Sequence, residues 1–159
     1  MTNWTHTLTL DASEDLRRSV VGIAIIIRER HAGSRRATII ETITERHRWT
    51  DAGHAEEFAI LRALEVAAAR GFTRIKIRCD CNSLRRGIRQ EHRQRTNGSD
   101  PATAVGILRS AVLQTAKAFA HVEFSYIARR KNGLAHRLAR SARTQEPETD
   151  SVAGTRIGA

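Results

Sequence analysis

The stretch GHAEEFAILRALEVAAARG, residues 53–71, decides how the chain is built. Alanine, leucine and glutamate dominate it, it contains no proline, and Gly71 stands where a helix would stop. This composition predicts a helix over residues 55–70. Everything before it reads as strand. WTHTLTL (Trp4 to Leu10) alternates polar and apolar residues and ends at Asp11. VVGIAIIIR (Val20 to Arg28) and ATIIETITER (Ala37 to Arg46) follow after polar turns at 13–18 and 31–36. Connections that short predict an antiparallel meander. After the helix, FTRIKIRCD (Phe72 to Asp80) alternates again, with Ile75, Ile77 and Cys79 on one face and Lys76, Arg78 and Asp80 on the other. A short helix is expected from Asn82 to about Gln90, a loop over 91–101, a helix over 103–119, a strand over 121–128 and a last helix over 133–143. That order predicts an α/β domain: a five-stranded mixed sheet, three antiparallel strands and then two more, with helices on both faces. The domain spans residues 1–143, and 144–159 form a polar, flexible tail.

The bulk composition narrows the partners. A chain of 159 residues suits one domain, and its 40% hydrophobic content suits a packed core. Aromatic residues make up only 4%, so aliphatic side chains and alanine must build that core. The longest apolar run, VVGIAIII (residues 20–27), is far too short to span a bilayer. The first residues lack a signal-peptide pattern, so a cytoplasmic location and no membrane partner are expected. Cys79 and Cys81 sit one residue apart on a strand-like run and are expected as free thiols in a reducing compartment. The net charge is +10, and the tail, with Glu146, Glu148 and Asp150 against Arg156, holds −2 of it, leaving +12 on the rest. Only Lys76, Lys117 and Lys131 are lysines; the other cations are arginine, whose planar fork suits phosphate. An arginine-rich genome explains part of this balance, but it still points to nucleic acid ahead of a membrane or an acidic protein.

Two chemistries compete for the triplet His54-Ala55-Glu56 at the helix start. In a zinc deaminase the histidine would bind metal and the glutamate would shuttle protons, but a Pro-Cys-x-x-Cys run must open a second helix. Here Cys79-Asp80-Cys81 has one intervening residue, no proline and a strand before it. The alternative is a carboxylate delivered to a hard cation, with His54 a loop residue before the helix. Asp11 and Asp80 each fall on the more polar face at a strand end, and two such acids plus one from a helix start could converge on a divalent ion. Periodicity alone leaves Glu56 and Glu57 equal candidates. Glu56 shares a face with Ala59, Ile60 and Ala63, and Glu57 with Ile60, Leu61 and Leu64.

Taken together, Asp11-Ala-Ser13, Gly22, the run from Ala55-Glu56 to Leu64-Glu65, Asp80-Cys-Asn82-Ser-Leu84, and Arg129-Arg130-Lys-Asn132-Gly-Leu-Ala135-His136-Arg-Leu138-Ala139 resemble the type 1 ribonuclease H family. The match follows the family's element order over residues 5–143. The resemblance implies the ribonuclease H-like fold and endonucleolytic cleavage of the RNA strand of RNA–DNA hybrids with two divalent ions, Mg2+ or Mn2+. It assigns Asp11, Glu56 and Asp80 as catalytic metal ligands, and its register is what selects Glu56 over Glu57. His136 takes the fourth acidic position, where an imidazole can bind a metal or carry a proton. A nitrogen donor there implies a lean toward manganese.

Two further departures stand out. Ala52-Gly53 replace the paired asparagines of many relatives, leaving backbone groups or His54 to contact the hybrid. Ala128-Arg129-Arg130-Lys131 runs where some relatives have a histidine-bearing loop. Nucleic-acid contacts are therefore expected from Ser13, Gly53, His54, Asn82, Arg129, Arg130 and Asn132, and from the basic segment bearing Arg85, Arg86 and Arg89. That segment, residues 85–95, sets five arginines against one glutamate. Trp4 and Trp49 read as packing anchors. The expected protein is a monomer with no organic cofactor. The competing readings are a catalytically weak or inactive nucleic-acid-binding module on the same fold, and a related nuclease for DNA or single-stranded RNA.

Overall fold

The computed structural model describes residues 4–50, 53–81 and 104–145, with side chains described from residue 110 onward in the last segment. The expected short helix at 82–90, the loop at 91–101 and the tail beyond residue 145 lie outside the described residues. Five strands form one sheet: β1 (His6–Asp15), β2 (Val20–Arg30), β3 (Ala37–Arg48), β4 (Arg74–Cys79) and β5 (His121–Tyr126). Its order is β3-β2-β1-β4-β5. The first three strands pair antiparallel, whereas β4 joins β1, and β5 joins β4, in parallel. The helices are α1 (Ala55–Ala69), α2 (Ala104–Ala116) and α3 (Gly133–Thr144), the last preceded by a 3-10 turn at Arg129–Lys131. The expected mixed sheet and helix order are therefore present.

One boundary shifts in a way that matters. Asp11 lies in the middle of β1 and not at its end, because Ala12 to Asp15 continue the ladder by pairing with Ile23 to Val20. Residues 13–15, expected in a turn, complete a hairpin. The actual turn is shorter, with the Asp15 carboxylate accepting the Arg17 and Arg18 amides at 3.1 and 3.2 Å. A short polar side chain closing its own turn in this way competes with strand extension, which is why the sequence hides the boundary.

Strand alternation divides the core between two faces. Leu8, Leu10, Ile23, Ile25, Ile75 and Ile77 are fully buried and pack with Ala59, Ile60, Ala63 and Leu64 of α1. Full burial of each such isoleucine or leucine contributes about 1.5–3 kcal/mol. Helix α2 packs against α1. The opposite face carries Thr7, Thr9 and Asp11 of β1 and Gly22, Ala24 and Ile26 of β2, and α3 lies across it. Ala135, Ala139 and Ala142 are the buried residues of α3, one small stripe at helical spacing. Trp49 is buried and stacks on Phe58 at 4.9 Å, the packing role expected for it. Trp4 has Arg30 and Lys76 over its ring at 5.2 and 5.4 Å.

Small side chains let α3 approach closely. A Cβ on Gly22 would lie 2.1 Å from the Ala139 carbonyl oxygen and 2.5 Å from the Arg143 amide nitrogen. Those are backbone atoms, so the whole helix would have to move. Gly71 serves a different need: its φ of 72° ends α1, with its amide donating to Ala68 and that of Phe72 to Ala67, both at 3.0 Å. At the sheet's outer edge, Ile39 and Ile40 of β3 remain about half exposed. Among the described residues no helix is long and apolar enough to cross a membrane.

The Gly22 contact leads to a direct expectation. Gly22→Ala should lower the unfolding free energy by about 1–3 kcal/mol or more through overpacking, measured by urea denaturation. Gly33→Ala, at an open turn with a φ of 77° and nothing near its Cβ, serves as the reference for strain without crowding.

Candidate active site

Four elements bring chemistry to one place. Asp11 rises from the central strand toward α3 and is only 6% exposed. Glu56 is the second residue of α1 and Asp80 follows β4 directly; both are half-buried. His136, in the first turn of α3, places Nδ1 2.9 Å from Asp11 Oδ2. The imidazole is thus joined to the aspartate and is not a free surface group. Asn132, the N-terminal boundary residue of α3, is 2% exposed and donates from Nδ2 to the Leu10 carbonyl at 3.1 Å. This bond ties α3 to β1 one residue before Asp11. Asn132, expected at the nucleic-acid surface, is therefore a buried strut.

Glu14 is a functional contributor that sequence reasoning missed. Its carboxylate accepts the Gly53 and Ala55 amides, both at 3.2 Å. No side chain of the helix's own boundary caps α1, so a strand residue three positions beyond Asp11 satisfies the orphan donors at its start. The same contact fixes where Glu56 sits relative to Asp11. Nothing in the local sequence marks Glu14, because its partners lie about forty residues away. Cys81, also missed, hydrogen-bonds the Glu56 side chain.

The electrostatics show how the acids are grouped. Burial lifts the Asp11 carboxyl above its ordinary range; the His136 hydrogen bond pulls it down, and repulsion from Asp80 pushes it up again. Burial likewise lifts Glu56, opposed by the Cys81 hydrogen bond and reinforced by repulsion from Asp80, Glu57 and Asp11. Asp11, Glu56 and Asp80 therefore lie close enough to feel one another's charge. Glu57 is buried beneath the helix, while the less buried Glu56 is the one coupled to Asp11 and Asp80. Among the described residues, no group of three or more His, Cys, Asp and Glu side chains stands gathered as a ready-made metal cage. The donor set still fits Mg2+ or Mn2+ in kind: carboxylate oxygens match hard cations, and their mutual repulsion is what such an ion would relieve.

Cys79 and Cys81 are buried and unbridged, as expected. Burial pushes the Cys79 thiol up to about 12, so without a metal it stays protonated at neutral pH. That agrees with setting the zinc reading aside. The other expected contact residues scatter. Ser13 is buried on β1; Gly53 is exposed with a φ of 83°; Arg129 and Arg130 are exposed on the 3-10 turn. His54 is half-buried, with Nδ1 sealed from solvent and without a hydrogen-bond partner among the described residues. Asn82, Arg85, Arg86 and Arg89 lie outside the described residues.

Comparison with solved structures shows the ribonuclease H fold. Ribonuclease H1 of the archaeon Halobacterium salinarum is similar, with a TM-score of 0.70 at 18% identity, over 86% of this chain and 96% of that one. The N-terminal ribonuclease H domain of a Mycobacterium tuberculosis protein has a TM-score of 0.67 at 15% identity, over 86% and 91%. LC11 ribonuclease H1, in complex with RNA/DNA hybrid, has a TM-score of 0.65 at 18% identity, over 86% and 95%. A search of curated protein sequences found no match. The family described as reverse transcriptase-like matches residues 10–142. The chain belongs to that ribonuclease H-like family, as the residue pattern implied.

The raised carboxyls make a stability prediction. Folded Asp11 and Glu56 hold protons more tightly than they would unfolded, so their contribution to stability falls as pH rises from the ordinary carboxylate range through the raised folded values. Without divalent ions, Glu56→Gln should therefore melt higher than the parent chain at neutral pH, with the difference shrinking toward pH 4. Magnesium should raise the parent's melting temperature and that of Glu56→Gln less, in thermal melts with and without chelator.

Proposed function

We propose that the chain is a metal-dependent endoribonuclease that hydrolyses the RNA strand of RNA–DNA hybrids, with two Mg2+ or Mn2+ ions as cofactor. The observation that carries this reading is the mutual repulsion of Asp11, Glu56 and Asp80, acids remote in sequence, on a chain of net charge +10. A protein that only binds polyanions gains nothing by gathering carboxylates against phosphate. Asp11, Glu56 and Asp80 would hold the ions. Such ions, when bound, favour the hydroxide form of the attacking water and stabilise the departing oxygen. His136 holds the Asp11 carboxylate through Nδ1, leaving Nε2 as the ring atom that would bind an ion or carry a proton. Asn132 positions that imidazole by fixing the start of α3 on β1. Arg129 and Arg130 are exposed beside this helix start and suit backbone phosphates. The hybrid complex of LC11 ribonuclease H1, a neighbour in fold, supports the choice of substrate.

A second reading, a weak or inactive nucleic-acid-binding module, draws on the lack of a ready-made cage among the described residues and on the histidine engaged with Asp11. Labelled RNA–DNA hybrid, RNA duplex and DNA duplex, each incubated with magnesium, manganese or chelator, separate the two. Cutting should be confined to the hybrid, vanish with chelator and fall about 10²-fold or more in Asp80→Asn. Binding of the hybrid without cutting under any metal would establish the second reading instead.

The histidine gives its own test. Activity in manganese should exceed activity in magnesium, and His136→Asp should move that ratio toward magnesium. An unchanged ratio in the variant would remove the role assigned to the imidazole nitrogen.

A further inference from the structure

Beside the carboxylates, on the same sheet face, lies a pocket of opposite charge. α3 begins against Leu10 of β1, through the Asn132 bond, and the pocket lies where its first turn meets the sheet face. In the ladder, Thr9 pairs with Ile26 on one side and with Arg78 on the other, while Arg28 stands two positions along β2 from Ile26. These residues, with Lys131 and Asn132 from the helix start, line a pocket of about 320 Å3.

Arg28 donates from a terminal nitrogen to the Thr9 hydroxyl at 3.2 Å. Among the described residues, no carboxylate lies within ion-pair distance of Arg28, Arg78 or Lys131. Burial, and then repulsion from Arg78, lower the Arg28 pKa, as expected for two guanidinium groups held together without a counter-charge. Arg78 Nε is buried without a hydrogen-bond partner. Leu134 and Ala135 bring in the first turn of α3, whose dipole also favours an anion.

We propose that this pocket is a phosphate site separate from the carboxylate cluster, occupied by a nucleotide unit whose phosphate meets Arg28, Arg78 and Lys131. Arginine forks, an ammonium and a hydroxyl together match a multi-acceptor oxyanion better than a lone carboxylate. The volume is that of about ten waters, more than a bare phosphate requires, and it leaves room for the sugar. Thr9 precedes Asp11 by two residues on one face, about 7 Å along the strand. A strand whose phosphate rests here therefore passes the acidic cluster. A free mononucleotide satisfies the same chemistry.

Binding measured in chelator tests the site without depending on hydrolysis, so a failure of the proposed activity leaves this result standing on its own. Calorimetry with a ribonucleoside 5′-monophosphate and fluorescence anisotropy with a labelled hybrid would be run at fixed ionic strength. The full chain would be compared with Arg78→Gln, Lys131→Gln and the control Arg35→Gln, which removes one exposed charge from the β2–β3 turn. Lys131 is exposed, so its variant keeps the test informative if Arg78→Gln folds poorly. Each pocket variant should weaken binding about ten- to a hundredfold relative to the control. Loss for the monophosphate would assign a free nucleotide as ligand, and loss for the hybrid alone would assign the strand backbone. The proposal is overturned if both pocket variants bind both ligands as Arg35→Gln does.

Discussion

The close approach of α3 to β2 over Gly22 is the contact on which the rest of the molecule turns. A strand buried on both faces normally fills each side with branched side chains, as β2 does with Ile23, Ile25 and Ile27 on the α1 face. On the other face the same strand offers Gly22 and Ala24, and α3 answers with alanines at 135, 139 and 142. The backbones can then nearly touch. That depth brings Asn132 within reach of the Leu10 carbonyl and His136 within reach of Asp11. A bulkier seam would lift the helix and break both bonds together.

The site is an electrostatic anomaly maintained at the edge of a cationic protein. Burial and crowding both resist ionisation of Asp11 and Glu56, and only one described cation-capable side chain, His136, bonds directly to an acid of the cluster. Elsewhere the chain pairs its acids generously: Arg62 grips Glu45 through two nitrogens at 2.9 and 2.8 Å, and Arg70 grips Glu41. The contrast separates structural acids from those held in tension. On the same sheet face the signs reverse, with Arg28 and Arg78 crowded together and without an acidic partner among the described residues. Two adjoining regions of uncompensated and opposite charge are hard to reconcile with a purely structural role.

Much of this was legible in the sequence because the patterns were local. The 3.6-residue helix with its terminal glycine and the period-two burial of Arg74 to Cys79 both appear where composition placed them. Asp11 and Asp80 were visible as acids on the polar face of strand-like runs, although β1 continues past Asp11. What stayed hidden depends on contacts between distant segments. Glu14 was one polar residue among several, and it became a helix cap only when α1 folded back onto β1. Asn132 was expected among the nucleic-acid contacts from its place in the family motif, yet its bond to the Leu10 carbonyl, across most of the chain, holds it buried. The choice between Glu56 and Glu57 could not come from periodicity, since both point partly inward. It came from family register, and the charge coupling of Glu56 favours the same residue.

The placement of β1 at the centre of the sheet has a consequence for biogenesis. Its antiparallel partner β2 follows within a few residues, but its parallel partner pairs His6 with Ile75. During translation the hairpin is complete while one side of β1 still shows unsatisfied amides and carbonyls, and roughly fifty more residues must emerge before β4 can close it. At about 5–20 residues per second that interval lasts several seconds. The nascent chain then presents an open ladder on β1, while the half-exposed Ile39 and Ile40 lie on β3 at the opposite edge. Recovery of soluble protein should therefore depend on elongation speed and chaperone supply more than on the stability of the finished domain.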